Sequence, residues 1–228
     1  MRQLPLDVQL ADYALFDTFY EGQNGAALHA LQQCLSDSGN KVTWLWGAPE
    51  SGKSHLLQAL VASADEAGLR PVWLPLKQSG LVPEMLEGME AFDVVCIDDI
   101  DSVIGQADWE MALFNLFERL MQRNARLVVT AGTGPNGAGF GLRDLNTRMN
   151  WGVTFRLQTL NDEESLAALQ KRARHRGLNL PADTAAYLLA RVNRSPATLF
   201  EILDLLDKEA LAAQRKLTVP FVRSVLET

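Results

Sequence analysis

The sequence predicts an α/β protein in which a parallel β-sheet is covered by helices on both faces and is followed by a small C-terminal helical lid. Two observations predict this fold class. Over about 160 residues, short apolar runs alternate with longer amphipathic stretches, which is the pattern of strands joined by helical crossovers. From about Asn161 onward, the apolar residues recur only at helical spacing.

Five apolar runs are the predicted strands. They cover residues 41–46, 71–76, 93–97, 126–130 and 153–157. Amphipathic spacing predicts helices over residues 54–64 and 107–122 in the body and a set of helices after residue 161. The sequence therefore predicts a body over residues 11–160 and a lid over residues 161–228, preceded by a flexible peptide over residues 1–10.

Composition and charge narrow the function classes. The 228 residues carry 21 Lys and Arg against 28 Asp and Glu, a net charge of −7, which disfavours a nucleic-acid backbone as the main partner. No apolar run approaches the roughly 20 residues that span a bilayer, and the N-terminus lacks the apolar core of a signal peptide. Two cysteines, Cys34 and Cys96, are too few for a disulfide scaffold. We expect a cytoplasmic protein without a membrane partner.

The strongest motif lies directly after the first predicted strand. Residues 47–54 read Gly-Ala-Pro-Glu-Ser-Gly-Lys-Ser and fit the phosphate-loop pattern G-x-x-x-x-G-K-[ST]. Backbone N–H groups of such a loop and the positive end of the following helix bind phosphate oxygens. The predicted nucleotide-binding residues here are Gly47, Pro49, Glu50, Ser51, Gly52, Lys53, Ser54 and His55.

A second strand supplies carboxylates for the same site. Asp98 and Asp99 directly follow the third apolar run. We expect Ser54 to ligate Mg²⁺, Asp98 to hold a metal-bound water as a Walker B aspartate does, and Asp99 to act as the base that orients an attacking water. The alternative is that these acids, with Asp101, begin a solvated loop.

Two further patterns are weaker. Residues 132–137 also spell G-x-G-x-x-G, but no helix follows, so dinucleotide binding is disfavoured. The basic run over residues 171–176 is typical of cations at a helix C-terminus that Gly177 ends; the alternative is a surface that docks an acidic partner or nucleic acid.

These motifs together resemble the AAA+ ATPase family, and within it the DnaA/Hda branch. Residues 16–24 resemble its F-x-x-F-x-x-G-x-N segment, residues 145–152 resemble L-x-S-R-x-x-W-G, and residues 193–199 occupy the position of its lid sensor. The resemblance implies an ADP or ATP cofactor with Mg²⁺. It also implies that Phe16, Phe19 and Tyr20 wall the adenine and that Arg194 is the lid sensor.

The resemblance assigns Arg148 a role outside its own chain. It implies that this arginine is a finger that reaches the nucleotide of a neighbouring subunit. An alternative is a surface cation that pairs with Asp144. The T-[SG]-D pattern of the family appears here as Thr130-Ala131-Gly132. Because position 132 lacks a polar side chain, the chain is expected to be at most a weak ATPase itself.

The N-terminus resembles a peptide that binds the sliding clamp of bacterial DNA polymerase. Gln3, Leu4 and Leu6 fit its Q-L-x-L core. The sequence ends at Thr228, where DnaA proteins continue into a helix-turn-helix domain, so origin recognition of that kind is not expected. The resemblance thus implies a regulator that stimulates hydrolysis of ATP bound to DnaA and prevents re-initiation. Its expected partners are DnaA, the clamp, DNA indirectly through the clamp, and further copies of itself.

Two other functions stay open at the level of sequence. A helicase-loader-type AAA+ protein would bind single-stranded DNA through a basic and aromatic groove. A small-molecule phosphotransferase would carry several arginines over the phosphates, for which Arg143, Arg148, Arg156 and Arg194 are available.

Overall fold

The computed structural model describes residues 14–36, 38–192 and 196–227. Gln3, Leu4 and Leu6 of the predicted clamp peptide and the predicted lid sensor Arg194 lie outside the described residues. Within the described part of the chain, no helix is long and apolar enough to cross a membrane.

Five parallel strands form one sheet, and they confirm the predicted fold class. They are β1 (Val42–Gly47), β2 (Pro71–Pro75), β3 (Val94–Asp98), β4 (Arg126–Ala131) and β5 (Val153–Leu157). The strand order is β2-β3-β4-β1-β5, and all four pairings are parallel. Each observed strand begins and ends within one residue of its prediction.

Eight helices accompany the sheet in the described residues. The body contains α1 (Gly25–Cys34), α2 (Lys53–Glu66), α3 (Ala107–Gln122) and α4 (Arg143–Met149). The lid contains α5 (Asp162–His175), α6 (Ala182–Arg191), α7 (Pro196–Ala213) and α8 (Val219–Leu226).

Side-chain alternation along the strands explains the two helical layers. On β3, Val94 and Cys96 pack into the core shared with α1 and α2. Val95 and Ile97 pack into the core shared with α3 and α4. Because successive strand residues point to opposite faces, a fully apolar strand needs a helical layer on each side.

The lid has an apolar core of its own. Leu169, Leu188, Leu203 and Val222, one from each of its four helices, are completely or almost completely buried together. Its first helix begins at a capping box, in which the side chain of Asn161 accepts from the backbone N–H of Glu164 and the reverse bond is also present. Such a reciprocal cap satisfies two helix-end donors.

The sheet order positions the functional site. β1, β3 and β4 are parallel, so their carboxyl ends at Gly47, Asp98 and Ala131 meet at one edge. Ligands of open parallel sheets bind in the crevice outside this edge. The phosphate-loop motif and the acidic motif of the sequence therefore lie together.

Candidate functional site

The loop between β1 and α2 is tightly packed against the sheet. A Cβ atom at Gly47 would lie 2.5 Å from the carbonyl oxygen of Leu157, so no side chain fits there. Glu50 and Gly52 have φ angles of 65° and 90°, in the left-handed region that glycine adopts most easily. These constraints explain why the motif has glycine at its first and sixth positions.

The side chain of Lys53 folds back onto this loop. Its Nζ donates hydrogen bonds to the carbonyl oxygens of Gly47 at 2.9 Å and Ala48 at 2.8 Å. Burial lowers the pKa of Lys53, and the nearby carboxylate of Asp99 opposes that shift. The ammonium group is thus held at the cavity by backbone atoms, ready to pair with an anion.

A cavity of about 480 Å³ opens beside the loop. Most of the predicted nucleotide-binding residues line it together with the predicted base: Phe19, Tyr20, Gly47, Pro49, Glu50, Ser51, Gly52, Lys53, Ser54, His55 and Asp99. Phe16 and Asp98 are not among the lining residues. Phe16 packs against the α1 and α2 core, and Asp98 is buried at the end of β3.

Ser51 gives an independent indication of what the cavity holds. The residue is almost fully buried, and its Oγ has no hydrogen-bond partner among the residues that the structure describes. Buried hydroxyl groups in folded proteins are normally paired. A phosphate oxygen in the cavity would supply the acceptor that the protein itself does not.

Thr130 fixes the acidic turn at the end of β3. Its hydroxyl donates to the carboxylate of the buried Asp98 and accepts from the backbone N–H of Asp99 at 2.9 Å. Asp99 takes a left-handed φ of 54°, and its side chain lines the cavity. Burial raises the pKa of Asp99, and the adjacent Asp98 raises it further, which brings this carboxyl closer to the range useful for a general base.

Gly132, which directly follows β4 and occupies the third position of the T-[SG]-D pattern, also lines the cavity. A Cβ atom there would lie 3.4 Å from Oδ2 of Asp101, another cavity-lining residue. The acidic turn thus faces a position that carries no side chain.

The other end of the cavity is aromatic. The rings of Phe19 and His55 meet edge to face with centroids 5.4 Å apart. His55 Nε2 donates to the carbonyl oxygen of Leu15 at 2.9 Å, and burial lowers its pKa, so the imidazole stays neutral near pH 7. This end offers flat, largely uncharged surfaces of the kind that bind a nucleobase.

The lid closes this aromatic end. Arg172 on α5 and Phe200 on α7 line the cavity, and Lys171 Nζ donates to the carbonyl oxygen of Phe19 at 2.7 Å. The sequence analysis missed Arg172 and Phe200, since it interpreted residues 171–176 as cations at a helix end. No local pattern reveals that one member of that run points into a cavity.

Arg148 lies on α4 and does not line the cavity of its own chain. Its Nε donates to Oε1 of Glu118 at 2.6 Å, and its guanidinium carbon lies 4.2 Å from the ring centroid of Trp151. Trp151 is 61% exposed. The ion-pair partner is therefore Glu118 of α3 rather than Asp144, which the sequence alternative named.

Glu110 fixes the segment that leads into α4. This buried carboxylate accepts from the backbone N–H groups of Gly105 at 2.8 Å, Gly141 at 3.1 Å and Leu142 at 2.6 Å. Burial by itself raises the pKa of Glu110, but the three donors outweigh burial and the pKa lies below its usual value. The start of the helix that bears Arg148 is thus anchored to α3.

No group of three or more His, Cys, Asp or Glu side chains that could hold a metal occurs in the described ranges.

Comparisons with known protein families match two separate stretches of the chain. Residues 77–156 match the family model of the bacterial DnaA ATPase domain, and residues 162–226 match the model of the Hda lid domain. The chain thus resembles Hda-like, DnaA-related AAA+ proteins in both stretches. This combination supports a general role in the regulation of DnaA and hence in DNA replication.

Solved structures share the fold. Domain III of DnaA from Thermotoga maritima superposes with a TM-score of 0.76 at 18% identity, covering 96% of this chain and 98% of that one. AMPPCP-bound DnaA from Aquifex aeolicus gives 0.72 at 18% identity over 88% of this chain and 67% of that one. The Holliday junction branch migration motor RuvB of Thermotoga maritima gives 0.63 at 16% identity over 91% and 68%.

Proposed function

We propose that this protein binds ADP or ATP in its own cavity and stimulates hydrolysis of ATP bound to DnaA, with Arg148 as the charge supplied across the interface. The single observation that carries this proposal is the position of Arg148. It lies on α4, away from the cavity of its own chain, and is oriented by Glu118 and the exposed Trp151. An ordered, partly accessible guanidinium beside an exposed tryptophan suits a contact in another subunit.

The proposed chemistry is electrostatic. During phosphoryl transfer, negative charge spreads over the oxygens of the transferred group, and an arginine supplied by a partner stabilises that charge. To bind the phosphate, Arg148 must break its ion pair with Glu118. Trp151 can continue to support the guanidinium during the exchange, because stacking leaves the N–H donors at the guanidinium edge available.

The chain's own cavity is proposed to hold nucleotide as a structural ligand. Lys53 and the loop N–H groups would bind the phosphates, Ser51 Oγ would gain a partner, and Phe19 and Tyr20 would contact the base. Mg²⁺ would be held by the Ser54 hydroxyl, with Asp98 acting through a bound water, and would neutralise phosphate charge. We expect weak hydrolysis at most, since Gly132 offers no side chain to assist the base Asp99.

Bound nucleotide is proposed to fix the angle between lid and body. Ligand at 100 times its Kd would stabilise the bound arrangement by about 2.7 kcal/mol. The hydrogen bond from Lys171 to the carbonyl oxygen of Phe19 already joins the two parts, and Arg194 would add a further contact. We propose that ADP supports the active form and that the body–lid boundary lies at residue 160.

The first test uses DnaA preloaded with labelled ATP and the clamp loaded on DNA. Arg148→Ala should reduce the stimulated hydrolysis by about 10³-fold or more, because arginine fingers contribute about 10³–10⁵ in rate. Arg143→Ala is the matched control, since it removes the same charge from the exposed first turn of the same helix. Equal activity of the Arg148 variant and the control would remove the finger role.

The clamp is proposed to hold the protein at DNA through Gln3, Leu4 and Leu6 of the peptide over residues 1–10. Burial of two leucines contributes roughly 3–6 kcal/mol, part of which the ordering of the peptide offsets. A dimer or larger homo-oligomer would gain from two peptides on one ring. Gln3→Ala combined with Leu4→Ala should therefore abolish clamp pull-down, whereas Gln9→Ala should not; retention of the double variant would disprove the peptide assignment.

A further inference from the structure

Arg172 differs from the other cations of its basic run. The residue is only 2% exposed, yet it lines the nucleotide cavity. Its Nη2 donates to Oδ1 of Asp204 at 3.1 Å, and its guanidinium carbon lies 4.5 Å from the ring centroid of Phe200. A carboxylate on one side and an aromatic face on another thus fix the orientation of this guanidinium.

The charges around the cavity separate into two groups. The carboxylates of Asp99 and Asp101 line the cavity together with Lys53, whereas Lys171, the neighbour of Arg172 on α5, donates to the carbonyl oxygen of Phe19 at the aromatic end at 2.7 Å. Arg172 therefore lies near the aromatic end of the cavity rather than at the phosphate loop. A ligand group that meets it there would be a part of the nucleotide other than the phosphates that Lys53 binds.

We propose that Arg172 and Phe200 bind the nucleoside moiety of the nucleotide, so that the lid recognises the base and ribose while the loop recognises the phosphates. This inference rests on the proposed binding of nucleotide in the cavity. Guanidinium N–H groups are donors to ring nitrogens and ribose hydroxyl oxygens, and the Phe200 face provides apolar contact area. Asp204 is the positioning residue that holds the guanidinium.

The ion pair with Asp204 does not by itself account for an arginine at position 172. Arg176 also pairs with Asp204, at 2.7 Å, and approaches Asp207 at 3.7 Å. Arg176 lies in the same helix end but does not line the cavity. Both arginines therefore pair with Asp204, but of the two only Arg172 lines the cavity.

The test measures binding of MgADP and of magnesium pyrophosphate by calorimetry. Arg172→Met should weaken ADP binding by about tenfold or more, the size expected for loss of a charged hydrogen bond, and should change pyrophosphate binding by less than about twofold. The matched control Arg176→Met removes the other Asp204 partner and should leave both affinities within about twofold. Unchanged ADP affinity in Arg172→Met, or an equal loss for both ligands, would overturn the proposal.

A second variant covers loss of folding. Phe200→Leu keeps all charges and should weaken ADP binding by about threefold without altering pyrophosphate binding. If Arg172→Met does not fold, an unchanged ADP affinity of Phe200→Leu would contradict the proposal. If pyrophosphate binds too weakly to measure, the ADP affinities of the Arg172 and Arg176 variants decide. A wild-type protein that binds neither ligand would instead contradict the nucleotide site as a whole.

Discussion

The two cations to which we assign proposed roles, Lys53 and Arg148, are held in opposite ways. Lys53 donates to two backbone carbonyl oxygens of its own loop and is 8% exposed. Arg148 is held by two side chains, Glu118 and Trp151, and its own side chain is 29% exposed. Backbone atoms of a packed loop cannot move away from Lys53 without breaking the loop, whereas a glutamate can change rotamer.

The difference teaches that Lys53 is preorganised for its ligand, whereas Arg148 can change its partner. A cation fixed by backbone carbonyls offers the same geometry whether or not a ligand is present. A cation paired with a half-exposed carboxylate is held by about 0.2–1 kcal/mol, and under our proposal a phosphate of a partner outcompetes that carboxylate. The first arrangement suits a resident ligand and the second suits a transient contact.

The largest expected effect tests the preorganised site. Lys53→Met should weaken MgADP binding by about 100-fold, because charged hydrogen bonds to phosphate contribute about 1.5–3 kcal/mol each. Thermal melting with and without ADP would show the loss as an absent ligand-induced shift. Lys41→Met, at the opposite end of β1, removes the same charge and should keep the shift.

The next largest effect is expected at Glu110, which anchors the start of α4, the helix that carries Arg148. Glu110→Gln should lower the free energy of unfolding by about 1–3 kcal/mol, since one buried acceptor is lost while its donors remain. Urea unfolding measures this, with Asp108→Asn in the exposed first turn of the same helix as a near-neutral control.

The difference in unfolding free energy between the wild type and Glu110→Gln should depend on pH with a definite sign. Because the folded-state pKa of Glu110 lies below its ordinary 4.5, the wild type holds this stabilisation fully above about pH 4.5 and loses it as the pH falls through the folded pKa. The gap between wild type and Glu110→Gln should therefore narrow in acid. A gap that stays constant down to pH 3 would contradict the assigned hydrogen bonds.

The smallest expected effect tests whether Arg148 leaves Glu118 in order to bind a phosphate of the partner. Glu118→Gln removes the charge that competes with phosphate for Arg148, so stimulated hydrolysis of DnaA-bound ATP should rise by up to about fivefold, the equivalent of about 1 kcal/mol. Dose–response curves against DnaA measure it. A fall in stimulation would mean that Glu118 orients the guanidinium productively rather than restraining it.

Local patterns were sufficient for the sheet and the phosphate loop. Each strand is a short apolar run bounded by polar or turn residues, and the loop motif combines a buried strand, two glycines and a helix start within a few residues. α3 was predicted with its observed bounds, because its apolar positions repeat regularly and helix-breaking residues are absent from residues 107–122.

Contacts distant in sequence could not be predicted. Glu118 lies 30 residues before Arg148, and the i,i+4 spacing of Asp144 suggested the wrong partner. Arg172 reaches the cavity only when the lid folds against the body, and helix-end chemistry explained its charge equally well. Glu110 binds backbone N–H groups, which no side-chain pattern records.

The position of β1 between β4 and β5 has a consequence for synthesis on the ribosome. In the described sheet, its ladder partners are β4 and β5, at residues 127–131 and 153–157. Pairings between segments so far apart close slowly. The loop that follows β1 therefore cannot acquire its supporting strands until residues 127–131 and 153–157 have emerged, and the apolar side chains of β1, Trp44 among them, stay unburied until then.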